Sequence, residues 1–131
     1  MDKKYKLTDN TTTIKAGAHP SITRDIKLFR IKALIDIPLH GVKKGHLGGW
    51  IEKEDNLSQF GSCWVSGQAA VFENAHVSDS ALVTDDAAVY ENAKIYDNAI
   101  VYNNAIVRGN AEIYAKAKTE ATASGAVQTT S

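Results

Sequence analysis

The sequence predicts an all-β chain in which short strands stack in coils behind a small antiparallel sheet. Three observations carry this. First, Val65, Val71, Val77, Val83, Val89, Ile95, Val101, Val107 and Ile113 are β-branched aliphatic residues at a strict spacing of six. Second, each is followed four places later by an alanine, from Ala69 and Ala75 through to Ala111 and Ala117, without a miss. Third, residues 1–56 lack the repeat, but Phe29, Ile31, Ala33, Ile35 and Ile37 alternate there with Arg30, Lys32, Leu34 and Asp36, the pattern of a half-buried strand.

A spacing of six does not fit the helical period of about 3.6. It fits a strand of period two interrupted by a turn. The alanine and the aliphatic residue of each unit point to one side. The residue before the alanine is Asn74, Asn92, Asn98, Asn104 or Asn110, with Gln68, Ser80, Asp86 and Lys116 as variants. That residue and its predecessor form the turn, because Asn and Gly tolerate left-handed backbone. One strand and turn cannot bury an apolar face alone, whereas stacked coils bury it together. The unit extends over residues 61–126 and decays after Ile113, where Thr119 and Gly125 fall in the aliphatic slots.

In the first part, Tyr5 to Leu7 and Thr11 to Ile14 read as short strands around an Asp9-Asn10 turn, and Gly17 to Pro20 as a loop. Gly41-Val42-Lys43-Lys44-Gly45 is a turn ahead of Leu47-Gly48-Gly49-Trp50-Ile51. Leu47, Trp50, Ile51 and Leu57 are expected to plug the open end of the coils, as capping repeats do. The expected division is 1–56 as the β cap, 57–126 as the coils and 127–131 as a frayed tail.

Composition narrows the function classes. Of the 131 residues 44% are hydrophobic and 23% charged, a globular balance for one domain. No run approaches the roughly 18 apolar residues of a membrane span, and the start has no apolar leader, so a cytoplasmic location is expected. A single cysteine, Cys63, excludes a disulfide framework and a cysteine-rich zinc site. The net charge is zero, although residues 1–56 carry +4 (eleven basic, seven acidic) and residues 57–131 carry −4 (four basic, eight acidic). The lysines are scattered, with no run longer than two, which disfavours nucleic acid as a partner.

The run from Gly41 through Leu47-Gly48-Gly49-Trp50-Ile51 to Ser58, leading into the hexads, resembles the small hexapeptide-repeat proteins of bacteriophages and prophages and the YdcK-like bacterial proteins. The resemblance covers roughly residues 27–115. It implies a left-handed parallel β-helix of somewhat under four triangular coils, three hexads to a coil, with the small N-terminal antiparallel β cap at one end. It also raises the acyltransferases of the wider hexapeptide-repeat class, which use a histidine beside an acyl-carrier or coenzyme A groove.

His76 is the one histidine in the coils; it points outward, stacks on Lys94 and Glu112, and reads as an ordinary surface residue. Unbroken hexads from 65 to 117 leave no excursion loop of the kind those enzymes carry. His40 and His46 flank a glycine turn and read as solvated turn residues rather than metal ligands. Cys63 falls in the inward small slot and reads as a buried, inert thiol. No metal or other cofactor is expected.

The outward columns are more informative. Trp64, Leu82 and Ile100, with Tyr102 beside them, form one apolar strip, and Phe72, Tyr90 and Ile106 lie on a second face. Such strips mark an interface with a partner or a second copy. The resulting expectation is a non-enzymatic, phage-type binding module whose partner is a host protein. An inhibitor of host defence, of the anti-CRISPR kind, is one concrete form. An acyltransferase-like enzyme and a structural phage component are the alternatives. A homo-oligomer, trimer or dimer, is expected through the Trp64 strip.

Overall fold

A computed structural model describes residues 3–19, 21–120, 123–124 and 127–130, with 124 and 127–130 as backbone. The architecture is all-β. Three longer strands come first: β1 (Tyr5–Ile14), β2 (Ile26–Ala33) and β3 (Leu47–Ile51). The coil strands follow as β4 (Trp64–Val65), β5 (Ala70–Val71), β6 (His76–Val77), β7 (Leu82–Val83), β8 (Ala88–Val89) and β9 (Lys94–Ile95). The last are β10 (Ile100–Val101), β11 (Ile106–Arg108), β12 (Glu112–Ala115), β13 (Lys118–Thr119), β14 (Ala123–Ser124) and β15 (Val127–Thr130). They form a β-solenoid of about four turns with three sheets as its sides: β4-β7-β10-β13, β6-β9-β12-β15, and the seven-stranded β1-β2-β3-β5-β8-β11-β14.

The hexads stack in the expected register. Val65 lies opposite Val83, Val83 opposite Val101, and Val101 opposite Thr119. Val71, Val89 and Val107 form the second column, and Val77, Ile95 and Ile113 the third. All of these aliphatic residues, and the alanines between them, are buried. Each fully buried Val or Ile stabilises the fold by about 1.5–3 kcal/mol. The last coil departs from the repeat. Val107 pairs with Ala123, and Ile113 with Gln128, so this coil is shorter than the others. Ala123 therefore takes the slot expected for Gly125, which lies outside the described residues. The backbone of Val127–Thr130, expected to fray, runs as a strand along β12.

The corners show how the acidic residues of the repeat are used. Gly61, Gly67, Glu73, Asp79, Asp85, Glu91, Asp97, Asn103, Gly109 and Ala115 all have φ between 55° and 73°. The left-handed residue is thus the one before the Asn slot, and at five of these ten corners it is Asp or Glu. A non-glycine residue in this conformation costs about 1–2 kcal/mol. The carboxylate helps offset that cost by accepting the backbone N–H of the corner one coil on. Asp79 takes the N–H of Asp97 at 3.1 Å, Asp85 that of Asn103 at 2.9 Å, Glu91 that of Gly109 at 3.1 Å, and Asp97 that of Ala115 at 3.0 Å.

β3 joins the two parts. It pairs antiparallel with β2 and parallel with β5, with Trp50 opposite Ala70 and Ile51 opposite Val71. Leu57 continues the third column onto Val77. Gly48 and Gly49 allow this close seating. A Cβ on Gly48 would sit 2.6 Å from the Val65 carbonyl oxygen and 2.7 Å from Trp64 and Ile31 side-chain atoms; one on Gly49 would sit 2.6 Å from the Ala69 carbonyl oxygen.

The end of the prism is closed, but not by the expected plug. Ile51 and Leu57 are rungs of the first coil, fully buried. Leu47 is 52% exposed. The Trp50 ring lies outside the prism, with the Arg30 guanidinium 5.3 Å from its centroid and its Nε1–H donating to Gln68 at 3.3 Å. Tyr5, Ile31, Ala33, Ile37 and Val42 make the closure instead, in one core cluster with Trp64 and the coil interior. Tyr5 meets Trp64 edge-on at 6.4 Å and donates its hydroxyl to the Leu57 carbonyl. The alternation at Phe29–Ile37 does not run on as one strand. β2 ends at Ala33, and Ile35 and Ile37 belong to a loop and short 3-10 turn at Pro38–His40.

Candidate functional site

The outer faces differ from the sequence expectation: the N-terminal segment covers the Phe72–Tyr90 column and Trp64. Phe72 and Tyr90 are fully buried, their rings stacked 5.0 Å apart and 7° from parallel. Ile22, Ile26 and Leu28 seal them against Ala70 and Ala88 in a second core, and the His19 ring packs 5.9 Å from Tyr90. Ile106 is partly buried at the margin of that core. Phe72 and Tyr90 are therefore interior residues, not an open interface.

Residues 15–19 and 21–28, from the end of β1 into the start of β2, act as a strap across the coils. Arg24 reaches Glu52 at 3.4 Å and Glu73 at 3.8 Å, and Arg108 donates to the Ser21 hydroxyl at 3.2 Å. The sequence signal for this strap is only Ile22, Ile26 and Leu28, too sparse for a period.

The Trp64 strip is corrected in the same sense. Trp64 is 1% exposed beneath Gly48 and Tyr5, and Leu82 is partly buried against the cap cluster. Ile100 and Tyr102 are half-buried and remain reachable. On the third face, Tyr96 and Tyr114 stack at 5.3 Å. The Tyr96 hydroxyl donates to Glu112 at 2.7 Å, and that bond, with burial second, pushes its pKa up to about 12.

His76 is exposed, as expected, but it has an orienting partner. Its Nδ1 lies 2.6 Å from the Asp55 carbonyl oxygen. A carbonyl only accepts, so Nδ1 carries a proton, and in the neutral ring Nε2 is the nitrogen with the lone pair. His40 is not a solvated turn residue. Its Nε2–H donates to the Ser80 carbonyl at 3.0 Å, and burial, reinforced by nearby Lys4, holds its pKa below the usual imidazole value against that bond. His46 stays exposed and accepts the Lys43 N–H at 3.2 Å.

The large apolar side chains left open lie in the closing elements: Ile35 at 45%, Leu39 at 61%, Leu47 at 52% and Phe60 at 66% exposure. Three of them share one corner. Leu39 sits in the turn that His40 pins to Ser80. Phe60 precedes Gly61, which stacks on Asp79. Ile35 follows Leu34, whose N–H donates to the Lys4 carbonyl, while Lys4 Nζ reaches the carbonyls of Phe60 and Gly61. Lys43 and Lys44, both exposed, follow that turn in sequence.

No protein-family model matches the chain, and no curated protein matches it. Among the described residues no helix is long and apolar enough to cross a membrane.

Proposed function

We propose that the protein is a non-enzymatic binding module that engages a partner protein through the corner formed by Ile35, Leu39 and Phe60. The observation that carries this is their exposure, in a chain that buries its Phe72–Tyr90 column beneath the N-terminal segment. An apolar patch on a rigid end, beside a basic turn, suits a partner surface that is apolar at its centre and acidic at its edge. A host protein as partner, and inhibition of host defence of the anti-CRISPR kind, rest on the resemblance to phage and prophage hexapeptide-repeat proteins. Self-association through Ile100 and Tyr102 is compatible with this reading, since those residues lie on a coil face. The test is affinity capture from host extract with the wild type beside a Leu39→Ser, Phe60→Ser variant of unchanged melting temperature. A partner held by the wild type and lost by the variant is expected. Equal retention by both moves the binding surface elsewhere.

A second reading, an acyltransferase-like enzyme, is favoured by the fixed tautomer of His76. Coenzyme A binding by calorimetry, combined with loss of acyl transfer in His76→Ala, would replace the first reading with this one.

A further inference from the structure

The closing elements hold a buried pair with a chemistry of its own. Lys4, at 2% exposure, places Nζ 3.2 Å from Sγ of Cys63, which is fully buried. Nζ also donates to the carbonyls of Cys63 at 2.7 Å and Gly61 at 3.3 Å, so the amine is held by the chain on either side of the thiol. Among the described residues no carboxylate pairs with Lys4. Burial pushes the ammonium below its ordinary range and the thiol above its own, each only partly countered by the other. The Lys4 nitrogen is thus held within contact of sulfur, at a separation that one bridging atom spans.

We propose that Lys4 and Cys63 form a reversible N–O–S link under hydrogen peroxide, a redox staple between the N-terminal strand and the first coil. Peroxide first converts the thiol to a sulfenic acid and leaves as water. A second peroxide accepts the two electrons released as the sulfenic O–H and one N–H bond break and the O–N bond forms, and it leaves as two waters. Thiol, amine and two peroxides thus give the link and three waters. Bridging through oxygen spans more of the Nζ···Sγ separation than a direct S–N bond and requires less movement of either chain. Access runs through the loop 58–62 above Cys63, whose Phe60 is exposed; local opening admits a molecule as small as peroxide. The staple closes 59 residues of chain, so it constrains the unfolded state as a disulfide does.

The test is intact-mass and peptide mapping of the folded wild type after peroxide treatment. The expected result is a gain of about 14 Da carried by a joined pair of peptides, one with Lys4 and one with Cys63, reversed by dithiothreitol. The melting temperature should rise by several degrees and fall back on reduction. Cys63→Ser should show neither change. Sulfenic or sulfinic acid on Cys63 with a free Lys4 amine, a direct S–N link seen as a loss of about 2 Da, or no reaction where the denatured chain reacts, would each overturn the proposal. Because the mapping is done on the wild type, failure of a variant to fold does not affect it.

Discussion

The coils and the cap solve the same problem, burying apolar surface, by opposite means. In the coils one hexad supplies a rung, and every rung is bonded and packed like its neighbours. In the cap each contact is made once: Tyr5 on Trp64, Gly48 beneath Ile31, Ile22 on Phe72. The difference teaches that the repeat sets the prism but not what is left open on its surface. That is decided by a segment with no repeat at all, which closes one end and straps one face.

A charge inside the prism should have the largest effect. Val89→Asp or Ala93→Asp places a carboxylate in the buried columns and should unfold the chain, at a cost of several kcal/mol. A melting curve checks it, and a wild-type midpoint would mean these columns do not face inward. Truncating the strapped face comes next. Phe72→Ala removes a ring buried between Tyr90 and the strap and should cost about 3–5 kcal/mol in urea unfolding. Ile100→Glu, on a coil face the strap does not cover, should leave the midpoint within about 0.5 kcal/mol. Equal losses would erase the distinction between covered and open faces.

Uncoupling the two regions is a smaller perturbation. Gly48→Ala forces a Cβ against the Val65 carbonyl and should cost about 1–3 kcal/mol, with faster amide exchange in β2 and β3 than in β8 to β11. At the corners, Asp97→Ala loses the bond to the Ala115 N–H and keeps the left-handed strain, so it should cost about 1 kcal/mol more than Asp97→Gly, which relieves the strain. A reversed order would show that the left-handed backbone at this corner is not strained for a residue with a Cβ.

The smallest effect is the pH response of the cap. The folded-state pKa of His40 lies below its unfolded value, so at mildly acidic pH the unfolded chain binds more protons. The His40 contribution is complete above about pH 6.5 and is lost as pH falls through the folded pKa. His40→Gln should flatten that part of the stability profile. An unchanged profile would place the titration elsewhere.

The coils were legible because a short strand and turn declares its inward side in two residues and repeats the statement nine times. The corners were half legible: the turn was evident, but not that at Asp79, Asp85, Glu91 and Asp97 an acidic residue takes the left-handed conformation and bonds to the next coil. The covered faces were not legible. Trp64 occupies the same outward slot as Ile100, and Phe72 the same slot as Tyr102, and only a nonlocal contact separates an open residue from a sealed one. Gly48 and Gly49 do carry a sequence signal, since two adjacent glycines before a rung mark a close backbone approach. For the candidate site, Leu39 and Phe60 gave no pattern, since exposure of a loop residue is set by its neighbours in space.

The central claim is that the second apolar face is sealed within the chain by its own strap. An isotope-filtered NOE experiment on a mixture of labelled and unlabelled protein tests it most directly. Contacts from the methyl groups of Ile22, Ile26 and Leu28 to the rings of Phe72 and Tyr90 should appear as intramolecular signals and be absent from the filtered, intermolecular spectrum. Signals to these rings only in the filtered spectrum would contradict the claim and return the Phe72 face to the interface between copies.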